Sequence, residues 1–102
     1  MTGLTQSIWQ QINAIFENYP LVTEVVLYGS RAKGNYRPGS DIDLTMKGEG
    51  LNLKLLNEIA NDLDDLLLPY TFDLSILAQI DNRDLIAHIS RVGKVVYRVK
   101  GS

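Results

Sequence analysis

Apolar residues along this chain alternate between two spacings, and each change of spacing marks a new element. Leu4, Ile8, Ile12, Ile15 and Phe16 recur at the helical period and Pro20 follows, which predicts an amphipathic helix over Leu4 to Asn18. "EVVLY", Glu24 to Tyr28, is β-branched and aromatic and stops at Gly29, as a buried strand with a sharp turn behind it would. "SDIDLTM", Ser40 to Met46, follows the turn signal "RPG" and sets Ile42 and Leu44 against Asp41, Asp43 and Thr45, which is strand periodicity. From Leu51 to Leu67 the helical spacing returns in Leu55, Leu56, Ile59, Leu63, Leu66 and Leu67, until Pro69 imposes a break. "TFDLSIL", Thr71 to Leu77, alternates again, with Phe72, Leu74 and Ile76 on one side and Asp73 and Ser75 on the other. A last helix is predicted with Asp81 as its N-cap and Gly93 at its end, and "KVVYRV" supplies a final short strand. The order is α-β-β-α-β-α-β, with one short helical turn over Arg31 to Gly34. Interleaving of this kind predicts an α/β domain, a sheet flanked by helices.

Composition narrows the class. A chain of 102 residues, 45% hydrophobic and without repeats or a linker, is expected to form one globular domain over 1–102. A domain of that size folds alone but has little material left for a deep cleft, so a partner or self-association is expected to complete its site. The formal charge of −2 gives no basic field, which argues against nucleic acid as the main partner. With no cysteine, disulfides and thiolate metal sites are excluded. No apolar run approaches the roughly 20 residues of a membrane span and no signal-peptide pattern opens the chain, so a cytoplasmic protein is expected.

The candidate chemistry lies in "LYGSRAKGNYRPGSDIDL", Leu27 to Leu44. Residues two apart on a strand share a face, so Asp41 and Asp43 should project together, away from Ile42 and Leu44. Two carboxylates held that close repel, and a hard divalent cation such as Mg²⁺ is their natural partner. Asp73 lies on a strand of the same pattern and completes a triad if the two strands are neighbours. Gly29 permits a sharp turn with exposed N–H groups, and Ser30 adds a hydroxyl donor, a combination suited to phosphate. Carboxylates for metal and a Gly-Ser turn for phosphate point to a metal-nucleotide site.

Gly29-Ser30, ten further residues, then Asp41-Ile42-Asp43-Leu44 resembles the signature of the polymerase-β-like nucleotidyltransferases, and "GSRAKG" resembles the turn of their minimal nucleotidyltransferase subgroup. "FDLSIL" resembles the strand that carries the family's third carboxylate, here Asp73. The resemblance implies a small mixed, twisted sheet of the polymerase-β palm type. It also implies transfer of a nucleoside monophosphate, usually AMP from ATP, to an acceptor hydroxyl with release of pyrophosphate. Asp41, Asp43 and Asp73 would be the catalytic and metal-binding residues for two Mg²⁺ ions, with Gly29 and Ser30 binding the nucleotide. Members of the subgroup are often paired with a helical HEPN-type protein in toxin-antitoxin modules, where the transferase adenylylates its partner on tyrosine. The competing reading is a nucleotide-binding module that neutralises its partner by contact with little turnover. A small-molecule transferase would need an acceptor-binding domain for which the chain is too short.

Other features read as structural. Asp62, Asp64 and Asp65 fall on the polar face of a helix, where solvation accounts for them. His88, the single histidine, reads as a helix-surface or packed residue rather than a general base. Gly29 to Gly39 lacks the endings of a dinucleotide fingerprint or a P-loop. Arg31, Lys33 and Arg37 lie where they could meet a triphosphate, although loops are often basic because they are exposed. Trp9 is expected in the core, or failing that at an interface.

Overall fold

The computed structural model describes residues 2–100. Its elements follow the sequence order: α1 (Gln6–Phe16), β1 (Glu24–Tyr28), α2 (Gly29–Lys33), β2 (Ile42–Lys47), α3 (Leu53–Asp64), β3 (Phe72–Ile76), a 3₁₀ turn (Leu77–Gln79), α4 (Arg83–Val92) and β4 (Lys94–Arg98). The four strands form one sheet in the order β3-β2-β1-β4. β1 runs antiparallel to both β2 and β4, whereas β2 and β3, joined through α3, are parallel, so the sheet is mixed as expected.

Strand alternation gives the sheet two different faces. Leu27, Leu44 and Leu74 lie in register across three strands, as do Val25, Met46 and Ile76, and these rows pack with Ile12, Phe16, Ile59 and Leu63 of α1 and α3 into the main core. On the opposite face Tyr28 pairs with Asp43 and Asp43 with Asp73. Behind that row, Thr45 lies between Val26 and Ser75. Among the described residues, a small second cluster covers this side, built from Val26, Tyr28 and Ile89 with Leu77, Ile80 and Leu85 packed against it. A sheet thickly covered on one face and thinly on the other leaves Asp73 exposed and Asp43 half-buried at the end of its polar row.

The helices begin and end where local chemistry allows. Thr5, Asn52 and Asn82 each accept the N–H three residues on, from Ile8, Leu55 and Leu85, and so cap α1, α3 and α4. The last helix is therefore capped by Asn82 rather than by Asp81, one residue earlier, as the sequence suggested. α3 also stops short of the predicted Leu67: that residue takes a left-handed φ of 56° and is 88% exposed, outside the apolar stripe in which its spacing placed it. Leu66 and Leu67 instead donate to the carbonyls of Leu63 and Asp64, which tightens the helix end into a turn before Pro69.

One further reading changes, that of Asp62. Asp62 is half-buried and accepts a short hydrogen bond from the Tyr19 hydroxyl, tying α3 to the loop after α1, whereas Asp64 and Asp65 are exposed as predicted. That bond, with burial and the nearby acidic charges behind it, pushes the Tyr19 hydroxyl pKa up to about 12. Trp9 packs half-buried against the main core and donates its indole N–H to Thr2 Oγ1 at 3.2 Å.

Candidate active site

The expected site residues gather at one end of β1 and β2. β1 ends at Tyr28, and the chain turns at once into α2 through Gly29, whose φ of 76° is left-handed. The short helix thus starts at Gly29 itself, two residues before the predicted Arg31. Across the sheet, β2 begins at Ile42, so Asp43 lies within the strand and Asp41 immediately before it rather than inside it. Ile42 donates to the Thr71 carbonyl at 2.9 Å, which closes the β2–β3 pairing at the level of the carboxylates.

Register makes Asp43 and Asp73 direct neighbours on parallel strands. Asp43 is half-buried, while Asp41 and Asp73 are exposed. Burial, followed by the charges of Asp73 and Asp41, raises the Asp43 pKa from 3.8 to about 6. Tyr28 opposite is buried, and that burial, only partly offset by Ser75, pushes its hydroxyl pKa upward with a further contribution from Asp73 and Asp43. Asp43 also abuts the turn: a β-carbon on Gly29 would fall on Asp43 Oδ2. The Gly-Ser turn and the carboxylate row are therefore one site.

Hard oxygen donors that repel one another in a partly desolvated setting suit a divalent cation, which would relieve the strain on Asp43. Among the described residues no three such ligands converge tightly enough to hold a metal ion as they stand. Asp43 and Asp73 are sheet neighbours and Asp41 precedes β2, an open row rather than a closed cage, consistent with an ion that arrives together with a polyanionic ligand.

Arg31 does not face a triphosphate. It is 2% exposed, donates through Nε and Nη2 to the Ser40 carbonyl at 3.1 and 2.9 Å and through Nη1 to the Thr2 carbonyl at 3.0 Å, and lies between the Tyr36 and Tyr70 rings. Its charge is balanced by carbonyl dipoles and π faces, and none of the ion pairs among the described residues includes it. Holding Ser40 fixes the residue next to Asp41. Lys33 and Arg37 are exposed.

His88 reaches the site from α4, and its Nε2 accepts the Gly29 N–H at 3.1 Å. The sequence offers no local sign of this contact, because the two residues are 59 positions apart and meet only when α4 folds over β1.

A family model described as polymerase beta, nucleotidyltransferase matches residues 10–101. No curated protein sequence matches. Among solved structures, a toxin-antitoxin crystal structure with AMP-PNP is similar at a TM-score of 0.73 and 23% identity, over 90% of this chain and 74% of that one. A Shewanella oneidensis complex of a tri-AMPylated HEPN toxin with an MNT antitoxin matches at a TM-score of 0.70 and 21% identity, over 95% and 75% of the two chains. The toxin-antitoxin pair MntA-HepT gives a TM-score of 0.69 at 21% identity, over 94% and 74%. At these identities the likeness establishes the fold.

Proposed function

The chain belongs to the polymerase beta nucleotidyltransferase family, and from that membership we propose that it transfers a nucleoside monophosphate, AMP from Mg-ATP, to the hydroxyl of a protein acceptor. The observation that carries the reading is the Asp43–Asp73 register pair beside the Gly29 turn, with Asp41 two residues away. The acceptor we assign is a tyrosine of a helical HEPN-type partner, which would make the chain the antitoxin of a toxin-antitoxin pair. The similar S. oneidensis complex, whose toxin is AMPylated, supports that choice.

In this mechanism Asp41, Asp43 and Asp73 would hold the divalent cations, Mg²⁺ by the hardness of the donors. When bound, the cations supply charge neutralisation at the triphosphate and the departing pyrophosphate. The N–H groups of the turn and the Ser30 hydroxyl donate to the outgoing phosphates. Asp73, exposed at the sheet edge, accepts the proton of the attacking hydroxyl. The tyrosine oxygen forms its bond to the α-phosphorus, the bond from that phosphorus to the bridging oxygen breaks, and pyrophosphate leaves.

The test is incubation of the purified chain with α-phosphate-labelled ATP, Mg²⁺ and host extract, beside Asp43→Asn. Label appearing on a protein only with the wild type supports adenylyl transfer. If the mutant still rescues cells that express the partner, neutralisation is by contact and the transfer reading fails.

A further inference from the structure

α2 is a five-residue helix whose N-cap residue, Tyr28, makes no capping hydrogen bond with its side chain. A helix that short has little stability of its own, and its first N–H groups find no acceptor inside the helix. One of them, that of Gly29, is taken by His88 Nε2. The same imidazole meets the Tyr28 ring edge-on, with 6.3 Å between ring centroids. His88 thus touches both residues at the point where β1 becomes α2. On its other side Gly29 is backed by the Asp43 carboxylate.

We propose that His88 is a positioning residue: it supplies from α4 the cap that Tyr28 does not, and so fixes the Gly29–Ser30 turn against Asp43. The geometry explains why this side chain serves. An unprotonated Nε2 is an acceptor at the tip of a rigid ring, and half-burial between α4 and β1 limits competition from water. An apolar residue here would leave the Gly29 N–H unpaired, and the turn would lose its registration with the carboxylates. The consequence for ligand binding rests on the nucleotidyl-transfer reading, while the hold on the turn does not.

The experiment compares His88→Leu, which removes the acceptor, with His88→Gln, whose side-chain oxygen can replace it. The Gly29 amide is read by ¹⁵N–¹H NMR and hydrogen exchange, and binding of a non-hydrolysable Mg-ATP analogue is measured by titration. His88→Leu should shift the Gly29 amide, raise its exchange rate and weaken analogue binding about five- to tenfold, and His88→Gln should restore most of each. An unchanged Gly29 amide in His88→Leu overturns the proposal, as does analogue binding equal to wild type in that variant. Equal defects in the two variants also overturn it, because they would reduce His88 to packing. If the wild type itself binds no analogue, the nucleotidyl-transfer reading fails, and the positioning role stands or falls on the amide alone.

Discussion

Gly29 and Asp43 occupy adjoining space so closely that a single methyl group on the glycine would take the place of the Asp43 carboxylate oxygen. Gly29 also has a φ of 76°, which a side chain disfavours by roughly 1–2 kcal/mol. Gly34, at a φ of 86°, carries the same backbone cost, but among the described residues nothing beyond its own stretch of chain lies within 4 Å of where its β-carbon would be. Gly34→Ala should therefore lower the melting temperature by about 4–8 °C, the effect of roughly 1 kcal/mol in a domain of this size. Gly29→Ala should lower it further and, unlike Gly34→Ala, should weaken nucleotide binding at least about tenfold. Thermal denaturation and analogue titration of the two variants check this.

The raised pKa of Asp43 makes stability depend on pH in a defined direction. The folded chain keeps this proton up to about pH 6, whereas the unfolded chain releases it near 3.8. Asp43 therefore contributes stability that is full below the lower value and is lost as pH rises through the upper one. Asp43→Asn has no such titration and should gain on the wild type across that window, by about 1–2 kcal/mol at pH 7 after allowing for partial exposure. Melting curves from pH 4 to 7 without divalent cations measure it. Mg²⁺ added together with a non-hydrolysable ATP analogue should then raise the wild-type melting temperature at pH 7 and raise that of Asp43→Asn much less.

Where the sequence was informative, one local signal decided the outcome. β1 stands where "EVVLY" predicts it because a β-branched run bounded by glycine admits few alternatives. The pairing of Asp43 with Asp73 depended on strand order, which periodicity does not encode and the family resemblance suggested. Arg31 and His88 were obscured for a common reason. Arg31 looks like a basic loop residue until Ser40, Thr2 and two tyrosine rings surround it, and whether His88 is a surface or a packed residue is decided only when α4 lies over β1. Their roles depend on long-range contacts that spacing along the chain does not record.

Arg31 holds together three segments that share no secondary structure: the N-terminal Thr2, the loop at Ser40 and the approach to β3 at Tyr70. Arg31→Met would keep much of the volume but leave the Ser40 and Thr2 carbonyls without their donors and remove the ring contacts. A loss of about 3 kcal/mol or more is expected, a fall of more than about 10 °C in melting temperature. Arg31→Lys keeps the charge but lacks the planar fork, so it should recover only part of the loss. Equal stability of Arg31→Lys and the wild type would show that charge rather than geometry matters at this position.

Thr45 reverses the usual expectation for a buried polar residue. It is fully buried on β2 between Val26 and Ser75, and among the described residues its Oγ1 has no hydrogen-bond partner. An unsatisfied buried hydroxyl costs roughly 1–3 kcal/mol, so replacing it by a methyl of similar size should stabilise the fold. Thr45→Val is expected to raise the melting temperature by about 4–8 °C. Thr45→Ser keeps the hydroxyl and deletes the methyl, and should lower it. If Thr45→Val lowers the melting temperature as well, the hydroxyl must be satisfied in solution, and its place beside the carboxylate row would then make water or a bound ligand its partner.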